Sequence, residues 1–127
     1  MVEAGALLHD IGRSKTHDIR HALEGVKIAR SYGVPEEVIK IIERHIGAGL
    51  PAMEAKKLGL PARDFIPETI EEKIVCHADN LIDKDKRQDI EKAVESAIEN
   101  GYREYARRLV ALHRELSNAC GIDLNYI

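Results

Sequence analysis

Gly5-Ala6-Leu7-Leu8-His9-Asp10-Ile11-Gly12-Arg13 is the stretch on which the reading of this chain turns. An apolar run from Val2 ends in an imidazole and a carboxylate side by side. Apolar residues on nearly all sides predict a helix buried from its start. The polar pair then falls at the edge of the core, where leaving a charged or polar group bare costs several kcal/mol. His9 and Asp10 therefore need partners. A metal ion is one solution; an internal salt bridge or a hydrogen-bonded pair is the other. Gly12 to Thr16 breaks the helix.

Downstream, the punctuation is that of helices. Asp18 is placed to cap a helix over 19–32, which Gly33 closes. Pro35, followed by Glu36 and Glu37 at the positive end, opens another to about Ile46, stopped by Gly47 and Gly49. A short helix is predicted around Ala52 to Lys57. Thr69-x-x-Glu72 reads as a capping box for a helix reaching about Asp83. Helices over about 88–99 and 102–119 follow, separated by Asn100-Gly101 and ended by Gly121. No run alternates apolar and polar residues between turns, so strands are not expected, and Lys84 to Arg87 reads as an exposed connection. The expected fold is all-α: one domain over 1–127, a bundle of six or seven helices. Its motif core covers about 4–83 and a C-terminal helical pair about 88–120.

The 127 residues are 44% hydrophobic and 32% charged, a globular composition for one core. Aromatics make up only 4%, so that core is aliphatic. A net charge of −3 gives no strong nucleic-acid or membrane-surface signal, although a local basic pocket remains open. No basic leader or spanning segment is visible, which predicts a protein without membrane contact. Cys76 and Cys120 lie far apart and read as two reduced, partly buried thiols in a cytoplasmic protein.

Further candidates for chemistry are scattered along the helices. His45 shares a helical face with Val38, Ile41, Ile42 and Ile46; it is either a core histidine bonded to a carbonyl or a ligand. Asp79 sits beside Val75 at the lip of an Ile70, Ile74, Ala78, Leu81 and Ile82 stripe, as a boundary carboxylate or a ligand. His21 lies in the first turn of its helix, exposed or ligating. Imidazole nitrogens and carboxylate oxygens together suit Mn, Fe, Co, Ni or Zn, one ion or two. A metal-bound hydroxide can attack phosphorus near neutral pH. Arg13 and Lys15, directly after the His-Asp pair, are placed to hold the phosphate. His77 is expected on the surface, and His113 in the packing of the Leu109, Leu112 and Leu116 stripe. Arg103, Arg107, Arg108 and Arg114 read as a solvated face.

With these residues in view, the sequence resembles the HD-domain superfamily in its HDIG form, and in particular small archaeal HDIG proteins. The resemblance runs from Gly5 to Gly12, through His21-Ala22-Leu23-Glu24-Gly25 and Ile42-Glu43-Arg44-His45, to Ile74-Val75-Cys76-His77-Ala78-Asp79-Asn80-Leu81. It implies a helical, metal-dependent phosphohydrolase acting on a nucleotide or another phosphorylated small molecule. It also implies His9, Asp10 and Asp79 as signature ligands, His21 and His45 as ligands of a second metal, and a bridging Asp10. Arg13 stands where HDIG members often have a phosphate-contacting Lys, and with Asp10 and the neighbouring Lys15 it makes up the expected catalytic set. The superfamily's pattern opens with a further histidine on an earlier helix, whereas eight residues precede His9 here and none is His. That departure implies a chain missing its first helix or its true start, and apolar surface around Ala4, Leu7 and Leu8 that favours a homo-oligomer. The alternative it raises is a catalytically impaired module that binds a nucleotide or a protein partner.

Overall fold

A computed structural model describes residues 1–126. Among these residues the chain forms seven α-helices: α1 Val2–Leu8, α2 His21–Ser31, α3 Glu36–Glu43, α4 Ala52–Lys57, α5 Ile70–Asn80, α6 Ile90–Glu99 and α7 Arg103–Cys120. Short 3-10 turns cover Ile11–Ser14 and Leu124–Tyr126. The all-α expectation holds, with one addition. Ile82–Asp83 (β1) and Lys86–Arg87 (β2) pair antiparallel, Ile82 opposite Arg87 and Asp83 opposite Lys86. Lys84 turns the hairpin in the left-handed region at φ 59°. Strands of two exposed residues carry no alternating apolar signature, so nothing in the pattern announced them.

Three apolar clusters hold the fold. Val26, Ala29, Val38, Ile39 and Ile42 join α2 to α3, with Ala4 and Leu8 of α1 against them. Leu50, Ala55, Leu60 and Phe65 pack α4 and its flanking loops, where Leu50 and Phe65 exchange backbone hydrogen bonds of 3.0 and 2.7 Å. The third cluster joins the end of α5 to the α6–α7 hairpin through Cys76, Leu81, Ile90, Leu109, Leu112 and Leu116.

Glycine decides how the first two elements meet. A β-carbon on Gly12 would collide with the carbonyl oxygen of His21 and crowd the backbone nitrogen of Gly25. The 3-10 turn after Asp10 therefore lies directly on α2, and Asp10 is carried to His21 by that contact.

Several expected boundaries shift for local reasons. Asp18 does not cap a helix at 19; its carboxylate accepts from the Arg20 backbone N–H at 2.8 Å, and α2 starts at His21. α3 stops at Glu43, where Arg44 leaves helical geometry at φ −107° and ψ 18°, short of Gly47 and Gly49, which take positive φ of 55° and 94°. The Thr69 capping box forms: the Thr69 hydroxyl accepts from the Glu72 N–H at 3.2 Å.

Two burial expectations are corrected. Helix α1 is not buried from its start, since Leu7 is 79% exposed and only Gly5 is enclosed. On α5 the apolar stripe is largely outside: Ile70, Ile74 and Ile82 are exposed, while Glu72, Val75, Cys76 and His77 are buried. Glu72 tolerates burial because the Arg44 guanidinium donates to it at 2.6 Å. No described helix is long and apolar enough to cross a membrane. Cys76 is buried, and Cys120 is exposed rather than partly buried; both are free.

Candidate metal centre

His9, Asp10, His21, His45 and Asp79 come from four parts of the chain and meet in one place. His9 is the residue that closes α1, and Asp10 leads into the 3-10 turn held against α2. His21 opens α2, His45 follows the end of α3, and Asp79 lies in the last turn of α5. Three helix C-termini thus point at the pocket, and their partial negative charge favours a cation there.

Each imidazole is fixed the same way. His9 Nδ1 lies 2.7 Å from the Ala6 carbonyl, His21 Nδ1 2.8 Å from that of Asp18, and His45 Nδ1 2.7 Å from that of Ile42. A carbonyl oxygen only accepts, so each Nδ1 carries the proton. For His9 and His45 the acceptor is a carbonyl in the last turn of a helix, a group with no partner inside the helix. In the neutral ring the Nε2 atom is then a bare lone pair, the form that ligates metal.

Those Nε2 atoms converge on carboxylates. Asp10 Oδ1 is 3.3 Å from both His21 Nε2 and His45 Nε2, and those two nitrogens are 2.9 Å apart. His9 Nε2 is 3.5 Å from Asp10 Oδ2 and 3.5 Å from Asp79 Oδ1. Charge-assisted hydrogen bonds are shorter, about 2.7–2.9 Å. Two atoms each about 2.1 Å from one ion, at roughly 90–110°, are separated by about 3.0–3.4 Å. The carboxylate gaps are therefore close to the edges of a coordination shell. His9 Nε2 and Asp10 Oδ1 are also buried without any hydrogen-bond partner, and ligand atoms of His9, Asp10 and His45 all lie within 4.8 Å of one another. The donor set fits a divalent transition metal.

The electrostatics differ from ring to ring. The Asp79 carboxylate beside it raises the pKa of His9, against the opposing effect of burial. His45 beside Asp10 holds its carboxyl well below the usual carboxylate range. Burial pushes His21 down, which favours its neutral form. His21 is only 5% exposed, which settles its open choice between surface and interior.

Arg13 reaches this pocket, with Nε 3.3 Å from Asp10 Oδ1. Lys15 is exposed on the same loop, and its side chain forms no ion pair among the described residues.

The sequence reading missed a second polar cluster. His77 is 1% exposed, not a surface residue, and His113 is buried with it. His77 Nε2 lies 2.8 Å from His113 Nδ1, and His113 Nε2 lies 2.8 Å from Asp123 Oδ1. The Asp123 carboxylate accepts from His113 Nε2–H, which leaves His113 Nδ1 to accept from His77 Nε2–H. Burial, with His113 adding to it, lowers His77 to a pKa of about 4. The signal available in sequence was His113 falling inside its helix's leucine stripe, which required a polar partner. That partner is 36 residues away.

Comparison with known proteins matches residues 1–84 to the HD domain family. Over 127 residues the chain is 47% identical to the tRNA (cytidine(56)-2'-O)-methyltransferase of Picrophilus torridus, of which it spans 37%. It is 45% identical over 120 residues to an uncharacterized protein of Methanocaldococcus jannaschii, covering 93% of this chain and 71% of that protein. A stretch of 47 residues, 35% of this chain, is 49% identical to ribonuclease Y of Acidothermus cellulolyticus, where it makes up 10% of the length. No solved structure matches the chain.

Proposed function

The chain belongs to the HD domain family, and from that premise we propose that it is a cytoplasmic, divalent-metal-dependent phosphohydrolase acting on a nucleotide or a related phosphate ester. His9, Asp10, His21, His45 and Asp79 would hold one ion or two in this reading, with Asp10 lying between the His9–Asp79 side and the His21–His45 side. Mn, Fe, Co, Ni or Zn suit such a donor set. One observation carries the reading: Nε2-to-carboxylate gaps of 3.3–3.5 Å, too long for charge-assisted hydrogen bonds and close to ligand–ligand edges.

A bound divalent ion supplies a Lewis acid for phosphoryl oxygens and makes a water acidic enough to attack near neutral pH. The chain's own side chains do the rest. The Nδ1–carbonyl contacts fix each ring so that Nε2 faces the pocket. Arg13, half-exposed beside Asp10, is within reach of a phosphate and neutralises charge that grows on it. Lys15 on the same loop attracts the anion at longer range.

The printed names of the relatives, a tRNA methyltransferase and a ribonuclease, support an ester derived from RNA. This chain spans 37% of the methyltransferase, so we assign methyl transfer to the remainder of such proteins and ion and phosphate chemistry to this part. Exposed Leu7, Ile70 and Ile74 on the neighbouring helices α1 and α5 support self-association.

A second reading keeps the pocket and drops turnover, leaving a module that binds a nucleotide or a protein partner. It is favoured by the His9 half of the pocket, which has three protein ligands: His9, Asp10 and Asp79. Metal analysis of the purified protein, paired with hydrolysis of bis-p-nitrophenyl phosphate under added Mn, Co or Ni, separates the two. The enzyme reading requires bound divalent metal and hydrolysis, both lost in His45→Ala. Metal without hydrolysis favours the module, and retention of both by His45→Ala defeats the enzyme reading.

A further inference from the structure

Asp79 belongs to two surfaces. One oxygen faces His9, and the residue also lines a cleft of about 1060 Å³ that runs away from the metal centre along α6 and the start of α7. The wall formed by Lys92, Tyr102, Arg103 and Tyr105 lies beyond residue 84, outside the part of the chain that matches the HD domain.

The charges of this cleft are sorted. Of its four acids, Glu54 and Glu104 are tied to Arg108 and Arg107 and Asp79 faces His9, while Asp83 forms no ion pair among the described residues. Its cations Lys57, Lys92 and Arg103 form no ion pair among the described residues. Three uncommitted cations, Lys57, Lys92 and Arg103, thus stand against one uncommitted acid, Asp83. Tyr102 adds an aromatic face that is 57% exposed, carried on the Asn100-Gly101 turn that separates α6 from α7. The cleft volume is at the upper end of pockets that enclose one drug-sized ligand, roughly 300–1000 Å³. Cations tracking a backbone beside an aromatic platform are the means by which proteins hold single strands of nucleic acid.

We propose that this cleft is the subsite for a short single-stranded oligonucleotide, with Tyr102 stacking on a base and Lys57, Lys92 and Arg103 contacting phosphates. The strand's reacting phosphate lies at the Asp79 end. The inference rests on the phosphohydrolase reading for that last placement alone, because Lys57, Lys92, Tyr102 and Arg103 are not among the proposed metal ligands.

The test is fluorescence anisotropy with a labelled uridine hexamer, in EDTA, with unlabelled uridine 5'-monophosphate as competitor. The hexamer is expected to bind at least about tenfold more tightly than the monophosphate. Raising salt from about 50 to 200 mM should weaken hexamer binding roughly 20-fold for three phosphate contacts on a single strand. Tyr102→Ala should weaken it about 5- to 100-fold and Tyr102→Phe should restore it, as expected of stacking. Lys92→Ala and Arg103→Ala should each weaken binding and flatten the salt dependence. Equal affinity for hexamer and monophosphate, or a Lys57→Ala/Lys92→Ala/Arg103→Ala variant that keeps its helical circular dichroism and binds as before, overturns the subsite. Since binding is read without metal, hydrolysis of the model ester without hexamer binding also overturns it and leaves the phosphohydrolase reading standing. Hexamer binding without hydrolysis does the reverse.

Discussion

Helix α5 carries a histidine or carboxylate into each of two polar clusters, and the two are opposites. Around Asp79, three imidazoles spend Nδ1 on backbone carbonyls and leave Nε2 facing oxygen at 3.3–3.5 Å. Around His77, the ring nitrogens are consumed in sequence, His77 to His113 to Asp123, at 2.8 Å each. Residue types and burial are alike. What differs is whether the inward-facing nitrogen already has a proton partner. An unpaired set is a place for an ion; a paired set is a brace.

The largest effect expected from breaking this contrast is at His45. His45→Ala removes a proposed ligand while sparing the brace, so bound metal should fall to near zero by elemental analysis. Model-ester hydrolysis should drop by at least about a hundredfold, more than the loss typical of altering a ligand's supporting partner. His77→Ala, on the other side of α5, should leave metal content intact.

Metal itself should sharpen the difference. At about 100 times its dissociation constant a divalent ion stabilises the native state by about 2.7 kcal/mol, which for a chain of this size raises Tm by roughly 10 °C. Thermal scans with and without EDTA check this. The rise should vanish in His45→Ala and persist in His113→Leu.

The brace should show the cost of stranded partners. His113→Leu leaves His77 without its acceptor and Asp123 without its donor, a loss of about 1–3 kcal/mol in urea unfolding. His77→Leu with His113→Leu should cost less than the sum of the single changes, because the second change removes a group already orphaned.

The smallest effect concerns the thiol beside His77. Burial, with Asp79 adding to it, pushes Cys76 up to about 12, and its Sγ lies 2.9 Å from the Gly47 carbonyl. A native protein treated with a disulfide reagent should therefore react quickly at exposed Cys120 alone, with Cys76 following only in denaturant. Rapid reaction at both would mean that this turn of α5 opens.

Much of the fold was legible because helix punctuation is local. Thr69 and Glu72 cap α5 within three residues, and Gly47 and Gly49 end the preceding run within a turn. The five candidate ligands were legible as a set through the resemblance. Polarity at the edge of apolar helices left His21, His45 and Asp79 each open between a bland role and a ligand, and the fold brings them together with His9 and Asp10. The brace was illegible because it joins α5 to α7 and to a residue past its end. A helical wheel ranks the faces of one helix but does not say what lies opposite. The same limit explains α5, where Ile70 and Ile74 face solvent while Glu72 goes inward to Arg44. It also explains α1, whose uniform apolarity does not say how many of its sides are covered.

The Nδ1 contacts of His9 and His45 carry a further consequence. The rings that would grip an ion are also the stoppers of α1 and α3, bonded to the terminal carbonyls of Ala6 and Ile42. Fraying of either helix end would release a ligand, and withdrawing an ion would loosen the end. Chelation is then felt in the backbone as quicker amide exchange at those two tips, so the chain's local order doubles as a gauge of its occupancy.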